Sequence, residues 1–179
     1  MNDSAYPGGG SDQFDLILAT SEIGIWELDT TSGKAWRNLR HDQIFGHEAL
    51  LPEWTAEVFF TYVHEPDRDR VRALMQSAVA EGRPWSFETR IRRADGLDRW
   101  ISAKGMPIFS ADGRAAKLVG HVIDITQLRE NEERLKLLAR ELNHRVGNSF
   151  ALISSMLRQG SKTATSVEEF SKVMLGRLG

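Results

Sequence analysis

The sequence predicts an α+β protein in which a five-stranded antiparallel sheet with flanking helices is followed by a long helical segment. Two short strand patterns come first, several helix patterns follow, and three longer strand patterns end near residue 126. Turn signals at residues 94–96 and 111–113, each reading Ala-Asp-Gly, join the last three strands as an antiparallel meander. Residues 127–158 are dense in Leu, Glu, Arg and Lys. They contain no proline and a single glycine, Gly147. Strands that pair in one sheet, with helices on a face, give the α+β class.

Local patterns define each element of this prediction. Residues 23–29 read Ile-Gly-Ile-Trp-Glu-Leu-Asp, which is rich in strand-forming residues. Pro66 suits the first turn of a helix and Gly82 suits its end. From residue 85 apolar and polar residues alternate, and the same alternation in the last strand predicts that His121 points inward. The predicted strands cover residues 23–29, 34–39, 85–93, 98–109 and 116–126, and the predicted helices cover residues 41–46, 54–63 and 66–81.

Composition narrows the class of protein. The 179 residues carry a formal net charge of −2, which favours neither nucleic acid nor a membrane as a partner. Because the chain has no cysteine, it cannot form a disulfide, a thiolate metal site, a cysteine nucleophile or a cysteinyl–cofactor adduct. No apolar run is long enough to cross a membrane, and the start lacks a signal-peptide pattern. We expect a cytoplasmic protein whose residues 1–11 form a disordered tail.

The helical segment carries the pattern of a coiled coil. Four leucines spaced by seven, three and four residues predict a parallel coiled coil, and hence a homodimer: Leu128, Leu135, Leu138 and Leu142. The alternative is a single amphipathic helix packed on its own domain. Residues 160–165 are predicted to form a loop, after which a capping box at Ser166 and Glu169 begins a second helix with Val167 facing inward. We expect this second helix to be incomplete at the last residue.

Four stretches before residue 126 resemble the PAS family of sensor domains. They are residues 23–29, the run His-Glu-Pro-Asp-Arg-Asp-Arg-Val at 64–71, the strand and turn at 87–96, and Gly-His-Val-Ile-Asp-Ile-Thr at 120–126. The last is the most specific, because in this family Asp-Ile-Thr at the end of the final strand commonly leads into a signalling helix. The resemblance implies that residues 12–126 form a PAS sensor domain.

Residues 139–157 resemble the dimerisation and phosphotransfer segment of HWE-type histidine kinases. In that group the phosphorylated histidine lies in a Glu-x-x-His-Arg-Val-x-Asn pattern, which here comprises Glu141, His144, Arg145, Val146 and Asn148. The resemblance implies that His144 is the phosphoacceptor and that residues 127–179 hold the signalling helix and the dimerisation and phosphotransfer helices. Where a lysine is usual before the asparagine, this chain has Gly147, a residue that weakens a helix.

A helical wheel at about 100° per residue separates two faces of this segment. His144 falls nearly opposite an apolar stripe, with Glu141 and Asn148 near it and Arg145 at the border. Periodicity alone favours an ordinary exposed histidine, whereas the motif favours a phosphoacceptor. The stripe consists of Leu138, Leu142, Val146, Ile153 and Leu157.

The residues around His144 suit phosphoryl transfer. A histidine that accepts a phosphoryl group must be exposed, neutral and free at one ring nitrogen. Glu141 could accept a proton from the other nitrogen or hold the tautomer, and Arg145 could steady the phosphate charge. Ala151 and Ser155 continue the same face, where small side chains would let a receiver domain pack closely.

The sequence indicates no cofactor for this chain. His41, His47, His64 and His121 lack the spacing of metal ligands, so no metal site is predicted. The flavin motif Asn-Cys-Arg-Phe of light-sensing relatives is missing, and the PAS ligand stays unassigned. We expect a small, mostly apolar cavity between the strands over 85–93 and 116–126 and the helices around Phe45.

Two functions fit these predictions. The first is the sensory module and phosphoacceptor segment of a bacterial two-component histidine kinase, a histidine protein kinase whose ATP-binding domain lies outside this chain. Such a chain would be inactive alone, and its partners would be a second copy, the ATP-binding domain with its ATP, and a response-regulator receiver domain. The alternative is a non-catalytic PAS dimer that serves as a phosphotransfer or interaction adaptor.

Overall fold

The computed structural model describes residues 16–18, 20–163 and 166–178. The chain divides into two compact units, one ending at Arg129 and the other beginning at Glu130. The tail predicted over residues 1–11 lies outside the described residues. The strands are β1 Gly24–Asp29, β2 Ala35–Arg37, β3 Trp85–Arg92, β4 Asp98–Phe109 and β5 Ala115–Asp124. The helices are α1 Leu39–Ile44, α2 Ala56–Tyr62, α3 Glu65–Ala80, α4 Thr126–Thr163 and α5 Val167–Leu178.

The first unit is built on one antiparallel sheet with the strand order β2-β1-β5-β4-β3. The meander β3-β4-β5 forms as predicted, because Gly96 (φ 83°) and Gly113 (φ 79°) supply the positive φ that the two turns need. The first hairpin brings β1 beside β5, so β1 lies between β2 and β5 and the last strand, β5, is the central strand of the sheet. The predicted α+β class with a five-stranded sheet and flanking helices is confirmed.

The core lies on one face of this sheet. In β3 every second side chain is buried, as the alternation predicted, while the residues between them are exposed. Helices α1 to α3 supply the opposite wall, and Asn38 joins α1 to β1: its Oδ1 accepts from the backbone N of His41 (3.0 Å) and of Ile25 (2.9 Å). The largest of the fully buried apolar side chains are Phe45, Val63, Val71, Ile91, Ile101 and Val122.

A buried ionic cluster holds α1 against β2. The Arg37 guanidinium donates to both carboxylate oxygens of Asp42 (2.8 and 3.0 Å), and the backbone N of Leu51 donates to the same carboxylate (2.7 Å). His41 Nδ1 lies 2.9 Å from Asp42 Oδ1. Burial by itself would raise the pKa of Asp42, but the hydrogen bonds from His41 and Arg37 hold that pKa far below its usual range. Burial also lowers the pKa of His41, which favours a neutral ring.

Two glycines make room for two tryptophans on the inner face of the sheet. Trp26, Gly120, Gly105 and Trp85 are neighbours in register across β1, β5, β4 and β3. A Cβ on Gly105 would lie 2.5 Å from Trp85 Cζ2, and a Cβ on Gly120 would lie 2.5 Å from Trp26 Cζ2. The indole rings therefore lie directly on the glycine backbone, with their centroids 6.2 Å apart.

The structure corrects the predicted orientation of His121. The buried side chains of β5 are Leu118 and Val122, so His121 shares the other face of the sheet with Val119 and Ile123. The strand is apolar on both faces, and its inner face is interrupted by Gly120, so alternation pointed to the wrong side. His121 is half-buried, and burial together with Lys104 lowers the pKa of its ring.

Three predicted boundaries also differ. Leu39 begins α1 and does not extend β2, since Asn38 already caps the helix. Strand β5 ends at Asp124, and Thr126 is the first residue of α4. The predicted loop at residues 160–165 is wrong for residues 160–163, because α4 continues through Gly160 and ends at Thr163. In α5, Val167 is 85% exposed in the single chain.

Among the described residues, none of the helices combines the length and the apolar character required to cross a bilayer.

Candidate functional site

Helix α4 is joined to the sheet by the Asp-Ile-Thr sequence. The backbone N of Thr126 donates to Asp124 Oδ1 (2.8 Å), and Thr126 Oγ1 accepts from the backbone N of Trp100 (2.9 Å). The backbone N of Ile125 in turn donates to the Trp100 carbonyl (2.8 Å). These bonds end β5, begin the helix and tie its first residue to β4, so the last strand and the helix are linked without a flexible loop.

The first turn of α4 makes a second set of contacts with the sheet. Arg129 forms an ion pair with Glu88 of β3, and its guanidinium lies 5.5 Å from the ring centroid of Trp100. Arg90 approaches the same ring at 5.8 Å. A change in the position of β3 or β4 would therefore directly alter the contacts of the first turn of this helix.

His144 lies on the exposed surface of α4, as the wheel predicted. The Asn148 side-chain amide, one helical turn further on, has its nitrogen 3.4 Å from His144 Nδ1. A half-turn of the Asn148 amide exchanges its oxygen and nitrogen. The side chain can therefore donate to an unprotonated Nδ1 or accept from a protonated Nδ1. Asn148 thus engages one ring nitrogen and leaves Nε2 pointing to solvent without a partner among the described residues.

Glu141 and Arg145 form an ion pair along the same helix. Arg145 Nε donates to Glu141 Oε1 at 2.7 Å, in the i,i+4 geometry, and both side chains are mostly exposed (74% and 55%). The structure therefore brings Asn148 to His144 and pairs Glu141 with Arg145. The contact between Glu141 and the ring, predicted from their spacing, does not form in this arrangement.

The apolar stripe opposite His144 is exposed. Between 38% and 63% of each of its side chains is accessible, in contrast with the core of the sheet unit, where exposure falls to almost zero. The seam leucines Leu128 and Leu135 are exposed to the same degree (57% and 65%). An uncovered stripe of this length on a charged helix is typical of a helix that pairs with another.

A cavity lies inside the sheet unit at the predicted place. Its volume is ≈ 60 Å³, measured as space for the centres of water-sized groups. Strands β3 and β5 and the short helices contribute to its wall, as expected, and β1 adds Trp26. The wall is almost entirely apolar and aromatic, and it includes Trp26, Phe45, Trp54, Phe59, Trp85 and Val122.

Three of the other four histidines, His41, His47 and His64, have hydrogen-bonding partners within the sheet unit. His47 Nε2 lies 2.7 Å from the Tyr62 hydroxyl, and His64 Nε2 lies 2.9 Å from Asp98 Oδ1. In the part of the chain that the structure describes, no three His, Asp or Glu side chains are grouped so that they could hold a metal ion. The sequence analysis did not predict that His41 forms a buried pair with Asp42. The one feature of the sequence that pointed to this pair is that the two residues are adjacent.

Comparisons with known proteins match both regions of the chain. The family model described as PAS fold matches residues 35–122, and the one described as HWE histidine kinase matches residues 141–179. A blue-light-activated histidine kinase of Brucella anthropi is 29% identical over 168 residues, which cover 94% of this chain and 33% of the relative. A protein of the same description from Brucella ovis is 29% identical over 167 residues, covering 93% of this chain and 33% of that relative. The chain thus spans a third of the length of the curated relatives it matches.

Solved structures agree with the fold. The sensory box histidine kinase/response regulator of Burkholderia thailandensis superposes with a TM-score of 0.61 at 25% identity, covering 74% of this chain and 99% of that structure. The N-terminal domain of a diguanylate cyclase with a PAS/PAC sensor from Marinobacter aquaeolei superposes with a TM-score of 0.55 at 17% identity, covering 60% of this chain and 98% of that structure. The second likeness concerns the fold alone.

Proposed function

We infer that this chain, which contains a PAS sensor domain and an HWE histidine kinase region, is the sensory module of a two-component kinase whose phosphoacceptor is His144. A signal received in the PAS domain would reach α4 through Asp124, Thr126 and Arg129, which link the sheet to the helix. The helix would then carry it to His144. The ATP-binding domain, a receiver domain and a second copy of the chain are the partners that this proposal requires.

The exposure of His144 opposite the apolar stripe is the observation that carries the proposal. Pairing of two such helices along the stripe would leave both histidines facing solvent, where an ATP-binding domain could reach them. Residues buried by pairing and residues reached by partners are therefore on separate faces of one helix. Ala151 and Ser155 continue the histidine face with small side chains, which suits the docking of a receiver domain.

The ring chemistry follows from the contact with Asn148. With the amide oxygen of Asn148 accepting from Nδ1–H, the lone pair of His144 lies on Nε2, which is the nucleophile. The Nε2–phosphorus bond forms as the bond from the γ-phosphorus to the bridging oxygen breaks, and ADP leaves. Arg145 lies within one turn and can balance the added charge, while Glu141 holds Arg145 in place and is available as a proton acceptor once that pair opens.

Phosphoryl labelling tests the assignment. The 179-residue chain is mixed with radiolabelled ATP and a separately expressed ATP-binding domain from one of the Brucella relatives. His144→Ala should abolish the acid-labile label, while the matched variant His121→Ala keeps it. Glu141→Ala should slow labelling by no more than about two to four orders of magnitude, the range of general base assistance. Label that persists in His144→Ala would overturn the assignment.

A reaction without the added ATP-binding domain separates the two candidate functions. We propose that the 179 residues alone do not label, because the sheet unit and the helices supply the acceptor and not the ATP site. Self-labelling of the chain would contradict this part of the proposal. A chain that binds the receiver domain but never accepts phosphate, from ATP or from a phosphorylated receiver, would instead be an interaction adaptor.

Dimerisation through the seam is a separate prediction. Leu135→Asp should convert the dimer to monomer in light scattering, because a carboxylate would replace an apolar side chain at the centre of the paired helices. Leu137→Asp makes the same change on the histidine face of the same helix and should leave the dimer intact. Equal behaviour of the two variants would show that the seam is not the interface.

A further inference from the structure

Arg140 is a second arginine beside His144, and it lies closer to the histidine face of α4 than Arg145 does. Successive residues of a helix are separated by about 100° around its axis, so Arg145, the next residue, is turned about 100° away from His144. Arg140 precedes His144 by four residues and is therefore turned only about 40° away. Residues with this spacing have Cβ atoms about 5–6 Å apart. Arg140 and His144 thus share one patch of exposed helix surface.

Side chains on this part of α4 extend toward the start of the helix. The Cα–Cβ bonds of a helix tilt toward its N-terminus, so each residue covers the turn that precedes it. Arg145 Nε reaches back in this way to Glu141 Oε1 at 2.7 Å. The Asn148 amide reaches back to His144 Nδ1 at 3.4 Å. By the same rule the ring of His144 extends over the turn that contains Arg140, and a phosphoryl group on Nε2 would be added over that turn.

Arg140 has no carboxylate within reach on its own helix. The residues three and four positions before and after it, which are the ones its side chain can meet, are Lys136, Leu137, Asn143 and His144. Its guanidinium is exposed and forms no ion pair or hydrogen bond with another described residue. Arg145, by contrast, is already paired with Glu141. Because Arg140 is unpaired, it gives up no existing contact when it binds a phosphoryl group.

We propose that Arg140 binds the oxygens of the phosphoryl group that is transferred to His144. The Nε2–phosphorus bond forms while the bond from the γ-phosphorus to the bridging oxygen breaks, and ADP leaves with the electron pair of the broken bond. His144 keeps its hydrogen on Nδ1, and the guanidinium of Arg140 donates to the oxygens of the phosphoryl group as it arrives. Arg145 meanwhile balances the charge of Glu141, which would otherwise repel the phosphoryl group. This inference rests on the proposed function and names a further residue of the same site.

Labelling rates of matched variants test the role of Arg140. The complete chain is incubated with radiolabelled ATP and a saturating amount of the ATP-binding domain from a Brucella relative. Arg140→Gln should lower the initial rate by roughly ten- to hundredfold, less than the loss of a donor in an enclosed active site. Arg134→Gln, the same change about 15 Å from His144 along the helix, should leave the rate unchanged. Arg140→Lys keeps the charge without the planar fork and should recover part of the rate.

Phosphorus NMR measures the same contact without ATP. Phosphoramidate gives its phosphoryl group to histidine and releases ammonia, so it loads the complete chain directly. The resonance that is missing in His144→Ala belongs to phosphorylated His144. A guanidinium beside a phosphoryl group disfavours its protonation, so Arg140→Gln should raise the midpoint of the pH titration of this resonance. The expected rise is roughly half a pH unit, the effect of one charge about 6 Å away in water.

The two measurements separate this inference from the proposed function. Because Arg140 is exposed, Arg140→Gln should keep the circular dichroism spectrum of the unchanged chain. An unchanged midpoint, or a labelling rate that recovers fully at saturating ATP-binding domain, would refute the contact, and the second result would make Arg140 a docking residue. Labelling of His144 that is insensitive to Arg140 would therefore remove this inference alone. A chain whose His144 accepts phosphate from neither ATP nor phosphoramidate would contradict the proposed function as well.

Discussion

Each unit of this protein contains an arginine, a carboxylate and a histidine close together, but in different surroundings. In the sheet unit Arg37, Asp42 and His41 are buried, with side chains at most 4% exposed. In the helical unit Arg145 and Glu141 form a similar Arg–carboxylate pair, but their side chains are 74% and 55% exposed. His144 lies beside that pair on the surface. The chemistry of the groups is alike, so the main difference between the two clusters is that one is buried and the other exposed.

Burial changes what each histidine can do. The desolvated ring of His41 has a lowered pKa, and its Nδ1 is committed to Asp42, so it serves packing and leaves one acceptor inside the protein. His144 keeps a loose contact of 3.4 Å with Asn148 and faces solvent, where a large phosphate donor can reach it. A histidine that accepts a phosphoryl group must be exposed. A histidine with a structural role can be buried, because its fixed partner satisfies its ring nitrogen. Matched substitutions in the two units test how much of their difference comes from burial.

The largest expected difference follows from removing the two carboxylate charges. Asp42→Asn leaves the Arg37 guanidinium buried without its counter-charge and should lower the free energy of unfolding of the sheet unit by about 3–5 kcal/mol. Glu141→Gln, the same change on the exposed pair, should cost less than about 0.5 kcal/mol. Tryptophan fluorescence in urea titrations measures the loss in Asp42→Asn, because all five tryptophans precede Glu130. The helical circular dichroism signal in the same titrations measures the effect of Glu141→Gln. Equal small losses in both variants would show that the buried cluster is dispensable.

Glycine-to-alanine changes should have opposite signs in the two units. Gly120→Ala places a Cβ 2.2 Å from the Lys104 carbonyl oxygen and against Trp26, and should destabilise the sheet unit by about 1–3 kcal/mol. Gly147→Ala meets no atom within 4 Å and should stabilise α4 by about 0.5–1 kcal/mol. Tryptophan fluorescence and helical circular dichroism measure the two effects separately. A destabilising Gly147→Ala would mean that Gly147 is needed for a contact or a bend.

The smallest effect is the pH dependence of the sheet unit. Burial lowers the pKa of His41, so below the ordinary value of about 6.5 the unfolded chain binds a proton that the folded chain does not. Stability should therefore fall as the pH decreases from 7 to 5, with a slope of at most about 1.4 kcal/mol per pH unit from this ring. His121, whose pKa is also lowered, adds to the same trend.

The variant His41→Phe isolates the first of these contributions. Urea titrations at several pH values between 5 and 7 should show a shallower slope for the variant than for the unchanged protein. Asp42 adds nothing in this range, because its pKa is far below its usual value and its contribution disappears only at more acidic pH. Identical slopes in the two proteins would mean that His41 binds its proton equally well when folded.

Much of the site could be predicted from the sequence because it lies on one helix. Within a helix, the spacing of residues fixes the angle between them, so His144, Asn148 and the apolar stripe fell on their observed faces. The partner of Glu141 could not be predicted, since Arg145 and the histidine ring are both within reach and the choice depends on rotamers. The extent of α4 was also misjudged, because small polar residues at 160–163 suggested a loop and the helix continues through them.

Local patterns in the sequence were sufficient to predict the order of the strands and helices, the alternating burial of β3 and the exposure of the helix face that carries His144. Each of these depends on residues close together in the chain. The sequence did not reveal which face of β5 is buried, that Arg37, His41 and Asp42 form a buried cluster, or that Trp26 and Trp85 pack over two glycines, because each of these depends on how the elements pack together. The two tryptophans lie on strands that are distant in sequence, whereas Arg37, His41 and Asp42 are close together in the chain. In both cases the burial that gives the residues their chemistry exists only once the sheet has formed.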